Sequence, residues 1–366
     1  MTTKSTIDAA IKEACAAGVA PSIAFSISRG DEPHSEWFCG RHAEEPNSMN
    51  TSSQSIFDLA SLTKPLTTTL WCLRLVNEGQ LQLEDTLGSY LPLKNQQLRS
   101  TPLWRLLIHQ GAICAHRQYY QGFTASDRRL LDRASVKTTV RQKLAAEHAI
   151  FMPQLFEMYT DLGFMILEWI CEAASGVSLC QAWPDLPSHG PRGLHFRPWP
   201  QPSKADQYVA TERCPWRKQL IQGEVHDDNS WIMGGVCGHA GLFGTLDAVH
   251  MAARQWLRLA TNGSHELGID PELAGLAFGP SAYVRETSRI FGWDRRTAGR
   301  STSGRYFSTT SFGHLGFTGT SIWIDPTQEI VAVLLTNRVC PTRENQLIKD
   351  FRPAIHDLAV QMLQTE

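Results

Sequence analysis

A chain of 366 residues with 42% hydrophobic and 19% charged side chains is long enough to bury a large core, and one large domain with two lobes is expected. A net charge of −2 and an isoelectric point near 6.7 leave no basic footprint for nucleic acid, and no apolar run reaches the ~18 residues of a membrane span. Nine cysteines, odd in number and scattered without a Cys-x-x-Cys pair, fit reduced, buried thiols better than a disulfide framework.

The first residues, Met1 to Ile7, lack the apolar core of a signal peptide and read as a cap followed by an amphipathic helix, so a cytoplasmic location is expected. Helical periodicity covers residues 7–17 and closes at Gly18. Residues 22–28 alternate as a half-buried strand, the chain turns at Arg29-Gly30-Asp31, and residues 36–39 complete a hairpin. Apolar residues at Leu62, Leu66, Leu70 and Leu73 mark one face of a helix that ends at Asn77-Glu78-Gly79. Residues 81–91 form a short ordered connection. Thr101-Pro102 then caps a helix with proline in its first turn. His109 closes that helix and reads as structural, held by hydrogen bonds. Further helices are expected over residues 130–149 and from after Phe164 to Ser175-Gly176.

From Trp183 to Trp216 the chain turns rich in proline and tryptophan, with too many aromatics for a solvated tether; it reads as an ordered insertion over the site. Strand-like runs follow at residues 316–324 and 329–336, separated by Asp325-Pro326, and a helix over 352–362 closes the chain. A hairpin first, helices in the middle and a hairpin last predict an α+β fold. Its antiparallel sheet is assembled from both chain ends, and a helical lobe fills the middle. The expected division places residues 1–60 and 245–366 in the α/β lobe and 61–244 in the helical one.

Ser61 and Lys64 stand one turn apart on the helix marked by Leu62, Leu66, Leu70 and Leu73, so hydroxyl and amine project from the same side. Near a helix N-terminus, unpaired N–H groups and the dipole favour negative charge, which helps an alkoxide and lets the serine's own N–H serve an oxyanion. A lysine three residues on, if desolvated, loses part of its preference for the charged form and acts as a base.

The stretch Phe57-Asp58-Leu59-Ala60-Ser61-Leu62-Thr63-Lys64 resembles the nucleophile motif of the serine β-lactamase and penicillin-binding-protein superfamily, in particular the branch with class C β-lactamases, D-aminopeptidases and related esterases and amidases. The resemblance implies a β-lactamase/transpeptidase-like fold and the order of the sheet. It places Tyr159-Thr160-Asp161, after the run from Pro153 to Phe156, where the family has Tyr-x-Asn. Tyr159 then becomes a second proton carrier, its acidity raised by the nearby lysine. Asp161 either orients substrate as the family's asparagine does or anchors Lys64. Phe312-Gly313-His314-Leu315-Gly316-Phe317-Thr318-Gly319-Thr320 resembles the third motif, with His-x-Gly replacing Lys-Thr-Gly. By analogy the N–H of Phe317 joins that of Ser61 in an oxyanion hole. Gly316 and Gly319 let a substrate backbone approach the strand, and His314 puts a mostly neutral group where relatives carry a permanent cation. That departure weakens the case for β-lactams and terminal carboxylates as substrates.

A further block, from Gly223-Glu224-Val225-His226-Asp227 to Gly238-His239-Ala240-Gly241-Leu242-Phe243, resembles a signature of bacterial members of this branch. His226, Asp227 and His239 as metal ligands is the lesser reading; a glycine-rich loop pinned by hydrogen bonds at the cleft edge is preferred, with Cys237 a small core thiol. The resulting expectation is a serine hydrolase without metal or cofactor, acting through an acyl-enzyme with Ser61, Lys64 and Tyr159. Asp161, His314, Gly316 and Phe317 are expected to bind the substrate, a small molecule or muropeptide. Small carboxylic esters are the alternative substrate, and a non-catalytic sensor the alternative class.

Overall fold

The computed structural model describes residues 3–123, 132–150, 157–186, 193–198 and 205–365. Helix α1 (Lys4–Ala16) starts at Thr3, whose hydroxyl accepts the N–H of Thr6, and buries Ile7, Ile11 and Ala14. Helices after it include α2 (Leu70–Asn77), α3 (Arg133–Ala145), α4 (Asp161–Ser175), α5 (Leu246–Ala260) and α6 (Ile348–Thr365). The expected start of α3 and the run from Pro153 to Phe156 lie outside the described residues.

Seven strands make the main sheet: β1 (Ser22–Arg29), β2 (Ser35–Gly40), β3 (Arg289–Ile290), β4 (Trp293–Arg295), β5 (Phe312–Leu315), β6 (Ser321–Asp325) and β7 (Ile330–Thr336). Their spatial order is β2-β1-β7-β6-β5-β4-β3, every neighbour antiparallel. The two chain ends meet in the β1–β7 pairing, in register from Ile23 opposite Thr336 to Arg29 opposite Ile330. The antiparallel sheet from both ends is thus as the sequence predicts.

Strand β1 departs from the half-buried pattern: only Arg29 escapes full burial. It is a central strand with helices on both faces, so neither face meets water. Ile23, Phe25 and Ile27 pack with Ile7 and Ile11 of α1 and with Ile355 and Ala359 of α6. The opposite face lies under α5. There Ser26 and Ser28 are tolerated because their hydroxyls hold the two ring nitrogens of the buried His250, each at 2.8 Å.

The predicted strand over 316–324 is in fact a hairpin. β5 ends at Leu315, residues 316–320 turn, and Gly316 N–H bonds to Thr320 O at 2.8 Å. No single helix among the described residues is long and apolar enough to cross a membrane.

Candidate active site

Phe57–Asp58 pairs with Leu242–Gly244, and the buried Asp58 carboxylate accepts the N–H of Ala60 at 2.8 Å and of His226 at 2.6 Å. The chain turns sharply here. Ala60 sits at φ +47°, a conformation costly for a residue with a Cβ. Ser61 follows in a 3₁₀ turn (Ala60–Leu62), then comes a π-helical turn (Lys64–Thr69), and only then α2. The one helix expected over residues 61–77 is therefore three pieces. Pro65 has no N–H to give the ladder, and the Thr63 and Thr67 hydroxyls donate to Ala60 O and Thr63 O, each at 2.6 Å, competing with backbone bonds. π-Turns of this kind recur at functional sites.

The broken helix still aligns the two side chains. Lys64 Nζ, with no exposed surface, donates to Ser61 Oγ at 2.9 Å, to Asp161 Oδ1 at 2.7 Å and to the backbone oxygen of His239 at 3.2 Å. All three ammonium protons are used, the arrangement of a charged amine. Burial by itself lowers the Lys64 pKa, but Asp161 and Tyr159 outweigh it and push it up to about 12. The expectation of a lysine neutralised by desolvation is corrected here: Lys64 rests charged, because the desolvation is answered by a carboxylate. Of the two roles open for Asp161, the anchor of Lys64 is the one its contacts fill.

Asp161 opens α4, where Thr160 caps the helix by accepting Gly163 N–H at 3.1 Å. His109, at φ +59°, accepts Thr160 N–H on Nδ1 at 3.1 Å and lies 4.6 Å from the Tyr159 ring, so its structural reading stands as a clamp on the Tyr159–Asp161 segment. The Tyr159 ring centre is 4.8 Å from Lys64 Nζ. Burial raises the phenol's pKa, against the pull of Lys64 and of a hydrogen bond with Ser61. The expected lowering by lysine is present but loses to desolvation.

Ser61, Tyr159, Asp161 and Phe317 line one open cleft of about 330 Å³ together with His116, Gln118, Tyr120, Asn229, His239 and Arg343, among others. Phe317 is 48% exposed and stacks on His226, ring centres 5.6 Å apart. Its carbonyl accepts from Arg338 Nε at 2.8 Å, and no acceptor among the described residues takes its N–H. His314 and Gly316 are not part of the cleft wall, contrary to expectation. His314 is buried beneath Tyr159 at 5.9 Å between ring centres and donates Nδ1–H to Leu315 O at 2.9 Å; burial drives its pKa down to about 3. Gly316 is needed for a contact within the protein rather than with a substrate. A Cβ there would stand 1.9 Å from Thr320 Oγ1 and 2.7 Å from Leu59 O. At Gly319, with φ +101°, the close neighbour is Thr336 Oγ1 at 2.0 Å. The same turn ties down the Ser61 segment: Thr318 and Thr320 hydroxyls donate to Asp58 O at 2.8 Å and Leu59 O at 3.2 Å.

His226, Asp227 and His239 do not converge as a ligand set. His226 Nε2–H donates to Glu212 at 3.0 Å, whereas His239 Nε2–H donates to Asp227 at 2.9 Å. Asp227 also accepts Ser230 N–H at 2.7 Å, and despite burial it is held down at about 2, His239 being the main cause. This is the pinned loop the glycines predict. The insertion is placed differently from expectation: none of its described residues lines the cleft. His195–Phe196 pairs with Leu242–Gly244, on the strand behind the Ser61 turn, and Trp183 packs edge-on against Phe196.

Sequence reasoning missed His116, whose Nδ1–H donates to Asp161 Oδ2 at 3.1 Å. It also missed Glu212, which bonds both Arg343 and His226, two residues of the cleft wall. Neither position follows a periodicity or neighbours a motif that would have marked it.

A family model described as Beta-lactamase matches residues 7–354. The N-acetylmuramyl-L-alanine amidase of Bacillus subtilis (strain 168) is 28% identical over 323 residues, covering 80% of this chain and 70% of that protein. Among solved structures, a penicillin-binding protein homologue from Caulobacter crescentus superposes with a TM-score of 0.72 at 16% identity, over 97% of this chain and 96% of that one. A class C beta lactamase from Rhodobacter sphaeroides gives 0.67 at 16% identity, over 98% and 99%. These two share the fold.

Proposed function

The chain belongs to the beta-lactamase family, and on that premise we propose that it is a serine hydrolase working through an acyl-enzyme on amide or peptide bonds of peptidoglycan-derived fragments. The observation that carries the chemistry is the line of contacts from Ser61 Oγ to Lys64 Nζ to Asp161, with Tyr159 alongside and an open cleft above. The substrate class rests on the amide named for the Bacillus subtilis relative.

In the resting state Lys64 is an ammonium, Tyr159 a phenol and Ser61 a hydrogen-bond acceptor. Reaction requires the Lys64–Tyr159 pair to lose one proton, and the two groups titrate as a unit. The pair then takes the Ser61 proton as Oγ attacks the carbonyl carbon. The N–H groups of Ser61 and Phe317 receive the oxyanion, each worth roughly 3–4 kcal/mol in such a site. The same proton passes to the leaving nitrogen as the C–N bond breaks. Water, deprotonated by the pair, then releases the acid and regenerates Ser61.

The test is one panel: a muropeptide amide, a D-Ala-D-Ala peptide, a β-lactam and a short-chain ester, each with wild type and Ser61→Ala. Turnover greatest on the muropeptide amide, and lost in the variant, is the expected result. A Ser61→Ala protein that keeps more than about a hundredth of wild-type turnover would show the covalent mechanism to be wrong.

A further inference from the structure

We propose that His116 is a positioning residue for this reaction: bonded to one oxygen of Asp161, it sets how firmly the other oxygen holds the proton of Lys64, and so when Ser61 becomes nucleophilic. The inference rests on the acyl-enzyme reading above and adds a residue to it.

The geometry is an unbroken line. His116 Nδ1 lies 3.1 Å from Asp161 Oδ2, Asp161 Oδ1 lies 2.7 Å from Lys64 Nζ, and Lys64 Nζ lies 2.9 Å from Ser61 Oγ. The Lys64 side chain is fully buried and that of Asp161 is 20% exposed, while His116, at 39%, forms the wet end. A carboxylate accepts from a histidine only through an N–H, which fixes the proton on Nδ1 and leaves Nε2 to exchange. When His116 donates to Oδ2 it draws charge from the carboxylate, and a fully protonated ring draws more. Either way Asp161 attracts the Lys64 ammonium less strongly. The groups facing His116 are Asp161 at the start of α4, Asp227 at the cap of the Asp228–Ile232 helix and Lys64 on the π-turn. The two acids raise its pKa, Asp161 foremost, while burial and Lys64 oppose them. Asp161 is held far below the ordinary carboxylate range: burial works to raise it, and Lys64, His116 and His239 overcome that. His116 is thus one of two side chains hydrogen-bonded to this carboxylate, and the more exposed of the two.

Removing His116 leaves the Asp161 charge to Lys64, so the lysine should keep its proton to higher pH. The experiment uses a fluorophosphonate probe, with the labelled serine identified by mass spectrometry and the labelling rate followed from pH 6 to 10.5. The onset of titration of the Lys64 side-chain carbon is followed in protein carrying ¹³C-lysine, the resonance assigned with Lys64→Met. Because Lys64 stands at about 12, labelling rises through this whole window; in His116→Ala the rising limb and the onset of the ¹³C titration should both move up by about half a pH unit or more, which slows labelling roughly threefold at a given pH. His116→Gln, which keeps a neutral donor, should recover part of the shift. Labelling of Ser61 at the wild-type rate, or slower labelling with the onset of the ¹³C-Lys64 titration unmoved, overturns the role of His116 and leaves the acyl-enzyme reading intact. Failure of the probe to reach Ser61 in the wild type overturns both.

Discussion

Replacing Asp161 by asparagine is the most direct probe of how Lys64 is held. The Asp161→Asn variant keeps the shape and an oxygen for the Lys64 Nζ bond, but removes the charge that is the first cause of the lysine's raised pKa after burial. With Asp161 present, the Lys64 pKa stands at about 12 against an ordinary 10.5, even though burial pulls it down. Without the carboxylate, burial, the largest single influence, is opposed only by Tyr159, and the value should fall to 10.5 or below. The shift is then at least about 1.5 units, or about 2 kcal/mol in favour of the neutral amine, and roughly thirtyfold more of that form at a fixed pH. The sign is opposite to that expected for His116→Ala, which makes general damage a poor account of the pair. The assay is the labelling rate of Ser61 against pH, together with the ¹³C titration of Lys64 and a thermal melt to register any loss of stability. Wild type should still be gaining rate above pH 9, while the variant should reach its limiting rate at least about 1.5 units earlier. The limiting rate itself falls if Asp161 also orients substrate, so the position of the limb, rather than its height, carries the test. A limb that stays in place, or moves to higher pH, refutes the idea that Asp161 holds the Lys64 proton.

Acid should destabilise the fold through its buried histidines. His314 and His356 are buried and driven down to about 3, so both fold as neutral rings. In the unfolded chain each protonates near ~6.5. Their contribution is complete above that pH and lost as the pH falls from there towards 3; at pH 5 each should cost about 2 kcal/mol. A thermal midpoint that does not drop between pH 7 and pH 5 contradicts this burial. Gly316→Ala should cost about 2 kcal/mol or more and slow Ser61 labelling, because the new Cβ collides with Leu59 O as well as with Thr320 Oγ1; unchanged melting and labelling would count against the contact. Phe317→Ala should leave the melting midpoint within about 1 °C, since the ring is half exposed, yet lower kcat/KM on a muropeptide amide by roughly three- to tenfold through lost stacking. Equal kcat/KM would remove the ring from the binding surface. Dialysis against EDTA should leave Ser61 labelling unaltered; a loss restored by zinc would return His226, Asp227 and His239 to consideration as ligands.

What the sequence made legible was whatever depends on local periodicity or on a compact motif. Ser61 and Lys64 are three residues apart, so almost any helical geometry brings them together. The strands of β1 and β7 announce themselves by their apolar runs. Other features were out of reach. The π-turn at Lys64–Thr69 arises from Pro65 and a competition among threonine hydroxyls that a helical-periodicity count does not register. The charge state of Lys64 depends on Asp161, 97 residues away, and a pattern that suggests desolvation does not say what answers it. Gly316 was read as making room for a ligand, when the room is taken by Thr320 and Leu59. His116 lies in a loop without periodicity, and only the folded chain places it against Asp161.

The turn between β5 and β6 has a bearing on how this protein is made. The strained segment before Ser61 is braced by hydroxyls of Thr318 and Thr320, bonds that span 260 and 261 positions of the chain. β1 likewise waits for β7, which is synthesised near the other end of the chain. A ribosome therefore exposes Ser61 and Lys64 long before it delivers the residues that hold them in register. During that interval the N-terminal hairpin offers an unpaired β1 edge, the kind of surface that invites mispairing and chaperone capture. Contacts this distant also favour slow folding. A nascent chain halted before Thr318 would carry both reactive side chains without the brace that shapes the turn between them, so reactivity should appear only as the last strands emerge.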